Sequence, residues 1–150
     1  MSIWARYPKT WQWYCEAGKL YRLHRQGNLL ILRAAVGGTD GSVVILRLLL
    51  DTGASYTMLP VEAVEALGCD THHPLHRVRI IAANGVIIAP VVAVPWFHCL
   101  GQRMEKWPVV AHTLPPGTFV DGLLGMDFLT HFQATIAVDR AEVTLGSVAT

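Results

Sequence analysis

The stretch Leu48-Leu49-Leu50-Asp51-Thr52-Gly53-Ala54-Ser55 decides how this chain reads. It closes a mostly apolar run over residues 42–50, with the composition of a strand buried in a sheet. The run stops on an aspartate. Behind it come only small residues, as a tight turn requires. Thr52 offers a hydroxyl to lock the turn, Gly53 permits a close backbone approach, and Ser55 offers a second hydroxyl near the carboxylate. A carboxylate delivered from a buried strand into a tight turn is a candidate reactive group. Its plain alternative is a turn or capping aspartate at a strand end, and the neighbouring elements decide between the two.

Residues 28–36 form a second strand-like run, and Gly37-Gly38-Thr39-Asp40-Gly41 is a turn cluster, so residues 28–50 predict a β-hairpin whose second strand ends in Asp51. Residues 59–68 predict a short helix: Pro60 suits the first turn, Glu62 and Glu65 favour the positive end, and Gly68 suits the left-handed position after the last turn. Two β-rich runs, 77–82 and 86–94, flank Ala83-Asn84-Gly85. Asn-Gly between such runs is a strong hairpin signal because both residues tolerate positive φ, and Pro90 marks an edge or a bulge in the return strand. Residues 107–112 read as a strand and 113–117 as a loop. Val120-Asp121-Gly122-Leu123-Leu124-Gly125 then leads into a short helix over 126–132. Residues 134–138 and 142–145 make a last hairpin around Asp139-Arg140. Short strands with turns between them, and only two short helices, predict an all-β fold, a small closed β-barrel.

At 150 residues the chain is long enough for one domain with a real core. An apolar content of 52 % against 15 % charged residues describes a globular chain with room for a buried subunit interface. A net charge of +1 and the lack of any basic run leave no electrostatic footprint for nucleic acid. Cys15, Cys69 and Cys99 are odd in number and lack Cys-x-x-Cys spacing, so they read as separate reduced thiols. The first residues carry no apolar signal core, and the greasiest stretch, 85–97, is too short to span a bilayer and is broken by Pro90 and Pro95. These features predict a cytoplasmic protein with no membrane contact. Residues 1–26, with Trp4, Tyr7, Trp11, Trp13, Tyr14 and Tyr21, read as an aromatic-rich arm packed over the barrel or across a subunit interface. Residues 27–150 read as the domain.

Residues 48–55 resemble the active-site segment of retropepsin-like aspartic proteases. Asp-Thr-Gly alone is a weak signal, but the surrounding order matches the family from about residue 27 to 146: the helix after the active-site strand, a hairpin flap, then two apolar residues and a glycine before a second short helix. The resemblance implies that Asp51 is the catalytic carboxylate, supported by Thr52, Gly53, Ala54 and Ser55. It implies that Ala82, Ala83, Asn84, Gly85 and Val86 form the tip of a flap over a polypeptide substrate, and that Leu123, Leu124 and Gly125 pack against the active-site loop. It implies no cofactor and no metal. Two departures stand out. The flap tip is poorer in glycine than many viral flaps, which predicts a stiffer or differently closing lid. Ala54, where many pepsin-like enzymes carry serine, removes a hydrogen bond to the carboxylates and moves the working pH toward neutral.

Aspartic proteolysis needs two carboxylates about 3 Å apart that share a proton, because like charges that close do not both ionise. This chain has one Asp-Thr-Gly; Asp40, Asp121, Asp127 and Asp139 do not repeat it. The second carboxylate therefore comes from Asp51 of another copy, in a two-fold homodimer. By resemblance, Thr52 bonds across the axis, and residues 134–145, with part of the N-terminal segment, build the dimer sheet. Two other readings remain in view: a dimerisation or peptide-binding module without turnover, and a zymogen trimmed near Arg22 or Arg25. Cys69, His72, His73 and His76 crowd together, but their spacing matches no standard zinc site and reads as a polar loop. His24, His98, His112 and His131 are scattered, with no serine-nucleophile motif beside them. Trp96, Phe97 and Trp107 read as core or cleft wall.

Overall fold

The computed structural model describes residues 19–146; of the arm expected over residues 1–26, the part before Lys19 lies outside them. The described residues form β1 (Lys19–Arg22), β2 (His24–Gln26), β3 (Leu29–Gly37), β4 (Val43–Leu50), β5 (Met58–Leu59), α1 (Val61–Ala66), β6 (His76–Ala82), β7 (Gly85–Cys99), β8 (Gln102–Ala111), β9 (Gly122–Leu124), α2 (Met126–His131), β10 (Thr135–Ala137) and β11 (Glu142–Leu145). One sheet runs β2-β3-β4-β9-β5-β8-β7-β6, and an extra pairing of β3 with β7 closes β3-β4-β9-β5-β8-β7 into a ring of six strands. A second sheet, β1-β11-β10, stands apart from that ring in hydrogen bonding but shares its core, through Val143 and Leu145. The fold is the small closed barrel with two short helices that the strand pattern predicts.

Alternation builds this core. On β3, Leu30, Leu32, Ala34 and Val36 point inward and are buried; on β4, Leu46 and Leu48 do the same while Val43 and Ile45 face out. The hairpin between them pairs from Gly37 opposite Val43 to Ile31 opposite Leu49. Helix α2 plugs the barrel with Phe128 and Leu129. Phe128 meets Phe97 edge-on at 6.3 Å and Phe132 at 4.6 Å, so one aromatic stack joins the helix to β7.

Several boundaries differ from the sequence reading, each for a physical reason. Strand β7 extends to Cys99 and β8 begins at Gln102, because a tight turn at Leu100-Gly101, both at positive φ, joins them. The inward face of β7 passes from Val92 and Val94 to Phe97 and Cys99, an even-to-odd switch at Pro95. Opposite Pro95 sits Lys106 at φ 51°, and the register is the same on either side, so both strands kink together. That switch hides the alternation over residues 99–107. Pro90 falls where an edge was expected: it pairs with Arg77 of β6, while β8 joins only from Val91. Residues 19–26 are paired strand: β1 lies along β11 and β2 along β3, so the sheets begin eight residues ahead of Gly27. No helix among the described residues is long and apolar enough to cross a membrane.

Phe97 is fully buried, whereas Ile45 is 58 % exposed on the outer face of β4. Phe97→Ala is expected to cost about 3–5 kcal/mol, and Ile45→Ala less than about 0.5 kcal/mol. Paired thermal melts check this, and equal shifts for the two variants would contradict the assigned core.

Candidate active site

Asp51 leaves the end of β4 where that strand runs parallel to β9, with Leu48, Leu49 and Leu50 opposite Gly122, Leu123 and Leu124. The last bond of this ladder is from the Asp51 amide to the Leu124 carbonyl at 3.0 Å. The turn that follows is tied by Asp51 itself. Its Oδ1 accepts the Gly53 amide at 2.8 Å, and its carbonyl accepts the Ala54 amide at 3.2 Å. The Ala54 and Ser55 carbonyls in turn accept the amides of Met126 and Asp127, at 2.8 and 3.2 Å, so the first turn of α2 is sewn to the Asp51 loop. Oδ2 of Asp51 takes no hydrogen bond within the described residues.

Gly125 shows why the segment after β9 ends in glycine. A Cβ there would stand 2.5 Å from the Tyr56 carbonyl carbon and 2.9 Å from the Ala54 oxygen, both backbone atoms that have no room to yield. Leu123, Leu124 and Gly125 thus lie directly against the loop. Thr52, Gly53 and Ser55 are exposed and Ala54 is half-buried. The Thr52 and Ser55 hydroxyls make no hydrogen bond within the described residues, so the turn is locked by the Asp51 carboxylate and by backbone rather than by them. Thr52 instead faces a groove beside α2.

A second anchor went unread in the sequence. Thr57 is fully buried; its amide and hydroxyl both donate to the Asp127 carboxylate, at 2.9 and 2.8 Å, and its Oγ accepts the Gly125 amide at 3.2 Å. Asp127 also takes the Phe128 amide at 2.8 Å. This cluster pins the far end of the Asp51 loop to the start of α2. Position gave a partial signal, since an acid in a first helical turn is common. The 70-residue separation from Thr57 gave none.

The expected flap is the β6–β7 hairpin, paired from Ala82 opposite Gly85 to His76 opposite Val91. Its turn is Ala83-Asn84, one residue earlier than the Asn-Gly reading. Neither of these has positive φ; the unusual backbone falls on Gly85, at φ 140°. The hairpin carries Ile81, Val86 and Ile88 exposed, with Ile81 at 84 %. Its root packs through Val78, Ile80, Ala89 and Val91 into a small cluster with Met58 and Leu123, the latter next to the residue that holds the Asp51 amide. The root of the β6–β7 hairpin and the Asp51 loop therefore share a wall.

The histidine-rich loop assembles differently. His73 Nδ1 lies 2.6 Å from Asp70 Oδ2 on the exposed surface, and Cys69 is half-buried, its thiol pushed up by burial. Among the described residues no group of three or more His, Cys, Asp or Glu is arranged to hold a metal ion.

A six-stranded barrel that presents a single Asp-Thr-Gly loop, backed by an apolar-apolar-Gly element, defines the retropepsin-like class of acid protease folds. Residues 33–128 match the family model described as aspartyl protease. The chain belongs to the aspartyl protease family. Its fold is similar to the crystal structure of a retropepsin-like aspartic protease from Rickettsia conorii, with a TM-score of 0.59 and 20 % identity over 86 % of this chain and 92 % of that one. No curated protein sequence matches.

Truncating Asp127 to alanine leaves the Thr57 amide and hydroxyl and the Phe128 amide without their acceptor. The expected cost is about 3 kcal/mol, seen as a lower midpoint in urea. Thr57→Val is expected to cost about 2 kcal/mol. Little change in either variant would contradict the anchor.

Proposed function

We propose that this chain is an aspartic endopeptidase whose active unit is a homodimer, with one Asp51 contributed by each copy. One observation carries this reading: of the six aspartates in the sequence, Asp51 alone stands in an Asp-Thr-Gly turn at the end of a barrel strand, and it keeps Oδ2 without a hydrogen bond among the described residues, while the other five serve caps, anchors and ion pairs. Asp40 caps the Ser42 amide and Asp121 takes the Arg47 amide. Asp70 pairs with His73, Asp127 holds Thr57, and Asp139 pairs with Arg140. Asp51 spends Oδ1 on the Gly53 amide and leaves Oδ2 free. Family membership supports peptide hydrolysis as the chemistry.

In the proposed mechanism two Asp51 carboxylates share one proton across a two-fold axis. The ionised one takes a proton from a water lodged between them, the water oxygen attacks the scissile carbonyl carbon, and the protonated one hydrogen-bonds the carbonyl oxygen. Collapse of the tetrahedral intermediate breaks the C–N bond as the amine leaves protonated. The substrate lies extended between the Asp51 loops and the flap tip, residues Ala82, Ala83, Asn84, Gly85 and Val86, bonding through its backbone. The exposed Ile81, Val86 and Ile88 favour apolar side chains near the cut bond. The reaction as written calls for neither metal nor cofactor. A maturation cut near Arg22 or Arg25 finds less support, since it would strip β1 from its place along Glu142–Leu145.

Asp51→Asn is expected to lower kcat on a peptide library by about a thousandfold or more, with the fold unchanged by circular dichroism. Equal cleavage by the variant would refute the mechanism, and a chain that turns over nothing in either form would point to a binding module. With Ala54 beside the site, cleavage is expected to persist toward neutral pH; a pH–rate profile confined to strong acid would contradict that.

A further inference from the structure

The chain has two asparagines, Asn28 and Asn84, and each is the second residue of a two-residue hairpin turn. Gly27-Asn28 lies between Gln26 and Leu29, the last pair of the β2–β3 ladder. Ala83-Asn84 lies between Ala82 and Gly85, the last pair of the β6–β7 ladder. Both asparagines are exposed, and the side chain of neither makes a hydrogen bond among the described residues. What differs is the residue that follows. Leu29 holds a branched side chain beside its own amide. Gly85 has none, and even a Cβ built there, at φ 140°, would meet nothing within 4 Å. The Gly85 amide is therefore open to approach by the Asn84 side chain. It sits on the terminal rung of a hairpin whose β6 is a sheet edge, and such rungs open at little cost.

We propose that Asn84 is a self-modification site, where the chain converts the tip of the β6–β7 hairpin from a neutral amide to a carboxylate and thereby attenuates its own activity. The second half rests on the reading of that hairpin as the flap of a peptidase. The Gly85 amide nitrogen, having lost its proton to hydroxide, attacks Cγ of Asn84. The bond from Cγ to the side-chain nitrogen breaks, and that nitrogen takes a proton from water and leaves as ammonia. A cyclic imide remains, and water opens it at one of its two carbonyls. Opening at the side-chain carbonyl gives aspartate in an unchanged backbone. Opening at the main-chain carbonyl gives isoaspartate, whose backbone runs through Cβ and Cγ. The net exchange is water for ammonia, with no change of oxidation state. Residues 71–104 hold no aspartate or glutamate, so the new carboxylate is the only one in the hairpin. Above a pair of Asp51 carboxylates it adds like charge. Isoaspartate also lengthens the main chain by one methylene where the tip would bond substrate. Both products disturb closure of the lid. Turnover then declines with the age of the molecule, fastest in alkaline solution.

The test ages full-length wild type and Asn84→Gln in mildly alkaline and mildly acidic buffer and samples them over days. Glutamine keeps the amide but must close a larger, slower-forming ring. Peptide mapping by mass spectrometry reads the exchange of NH2 for OH, and enzymatic methyl labelling of the freed α-carboxylate reads isoaspartate. The gain is expected in the Asn84 peptide, with isoaspartate at that position, and faster in the alkaline buffer. Asn28 serves as the control within the chain and is expected to stay intact, as is Asn84→Gln. An Asn84 peptide that stays unmodified, or a gain as fast at Asn28, overturns the site. Peptide cleavage is then compared, aged against fresh, within each protein. Converted wild type is expected to lose about tenfold or more in kcat/KM, while aged Asn84→Gln keeps whatever value it had when fresh. Converted wild type as active as fresh protein overturns the attenuation and spares the peptidase reading. Fresh wild type that cleaves nothing sinks the peptidase reading and the attenuation with it, while the mass shift still decides the site.

Discussion

The parallel pairing of Leu48, Leu49 and Leu50 with Gly122, Leu123 and Leu124 is the constraint on which the rest of the structure depends. Parallel strands need a crossover rather than a tight turn, and here the crossover contains α1, the β6–β7 hairpin and β8. The entropic cost of closing so long a loop grows only as the logarithm of its length, about 0.6 kcal/mol per doubling. A fully buried Leu48, Val94, Phe97 and Leu124 more than offset that, each contributing about 1.5–3 kcal/mol on burial. The barrel closes because the core requires it. Closure then delivers the Asp51 loop to the start of α2.

What the ladder begins, hydrogen bonds finish. The Asp51 amide on Leu124, the two α2 amides on Ala54 and Ser55, and the Thr57–Asp127 pair fix the loop at both ends. Such rigidity matters for the proposed chemistry. Two carboxylates about 3 Å apart repel by roughly 5 kcal/mol when both are charged, at an effective dielectric near 20. A loosely held loop would relax away from its mate. Several bonds worth about 1 kcal/mol each, in a loop with no slack, keep the groups close enough that sharing a proton is the cheaper outcome.

Much of this was legible in the sequence, and the exceptions have causes. The β3–β4 hairpin, α1, the flap runs and the apolar-apolar-Gly element are local patterns, so period and turn residues reveal them. The extent of β7 and β8 was hidden by the paired kink at Pro95 and Lys106, which switches the buried face mid-strand. The strands before Gly27 were hidden because β1 and β2 carry charges suited to sheet edges, which dilute the apolar alternation. Within the site, Asp51 and its turn could be read because one segment holds them. Thr57 and Asp127 could not, since the bond between them exists only after the barrel closes. The turn of the β6–β7 hairpin was placed one residue late because Gly85 takes its positive φ as the first residue of the return strand rather than inside the turn.

The proposed function makes each chain half of a catalytic centre, because the remaining aspartates are committed to caps, anchors and ion pairs. A shared site has a property that a self-contained one lacks: an inactive copy poisons an active one. The direct measurement mixes wild type with a fourfold excess of Asp51→Asn protein, lets subunits exchange, and follows peptide cleavage. Random pairing leaves about a fifth of the wild-type subunits with a wild-type mate, so activity is predicted to fall to about a fifth of that of the same wild type alone. Activity unchanged by the excess variant would show that one chain carries a complete site, and would contradict the account.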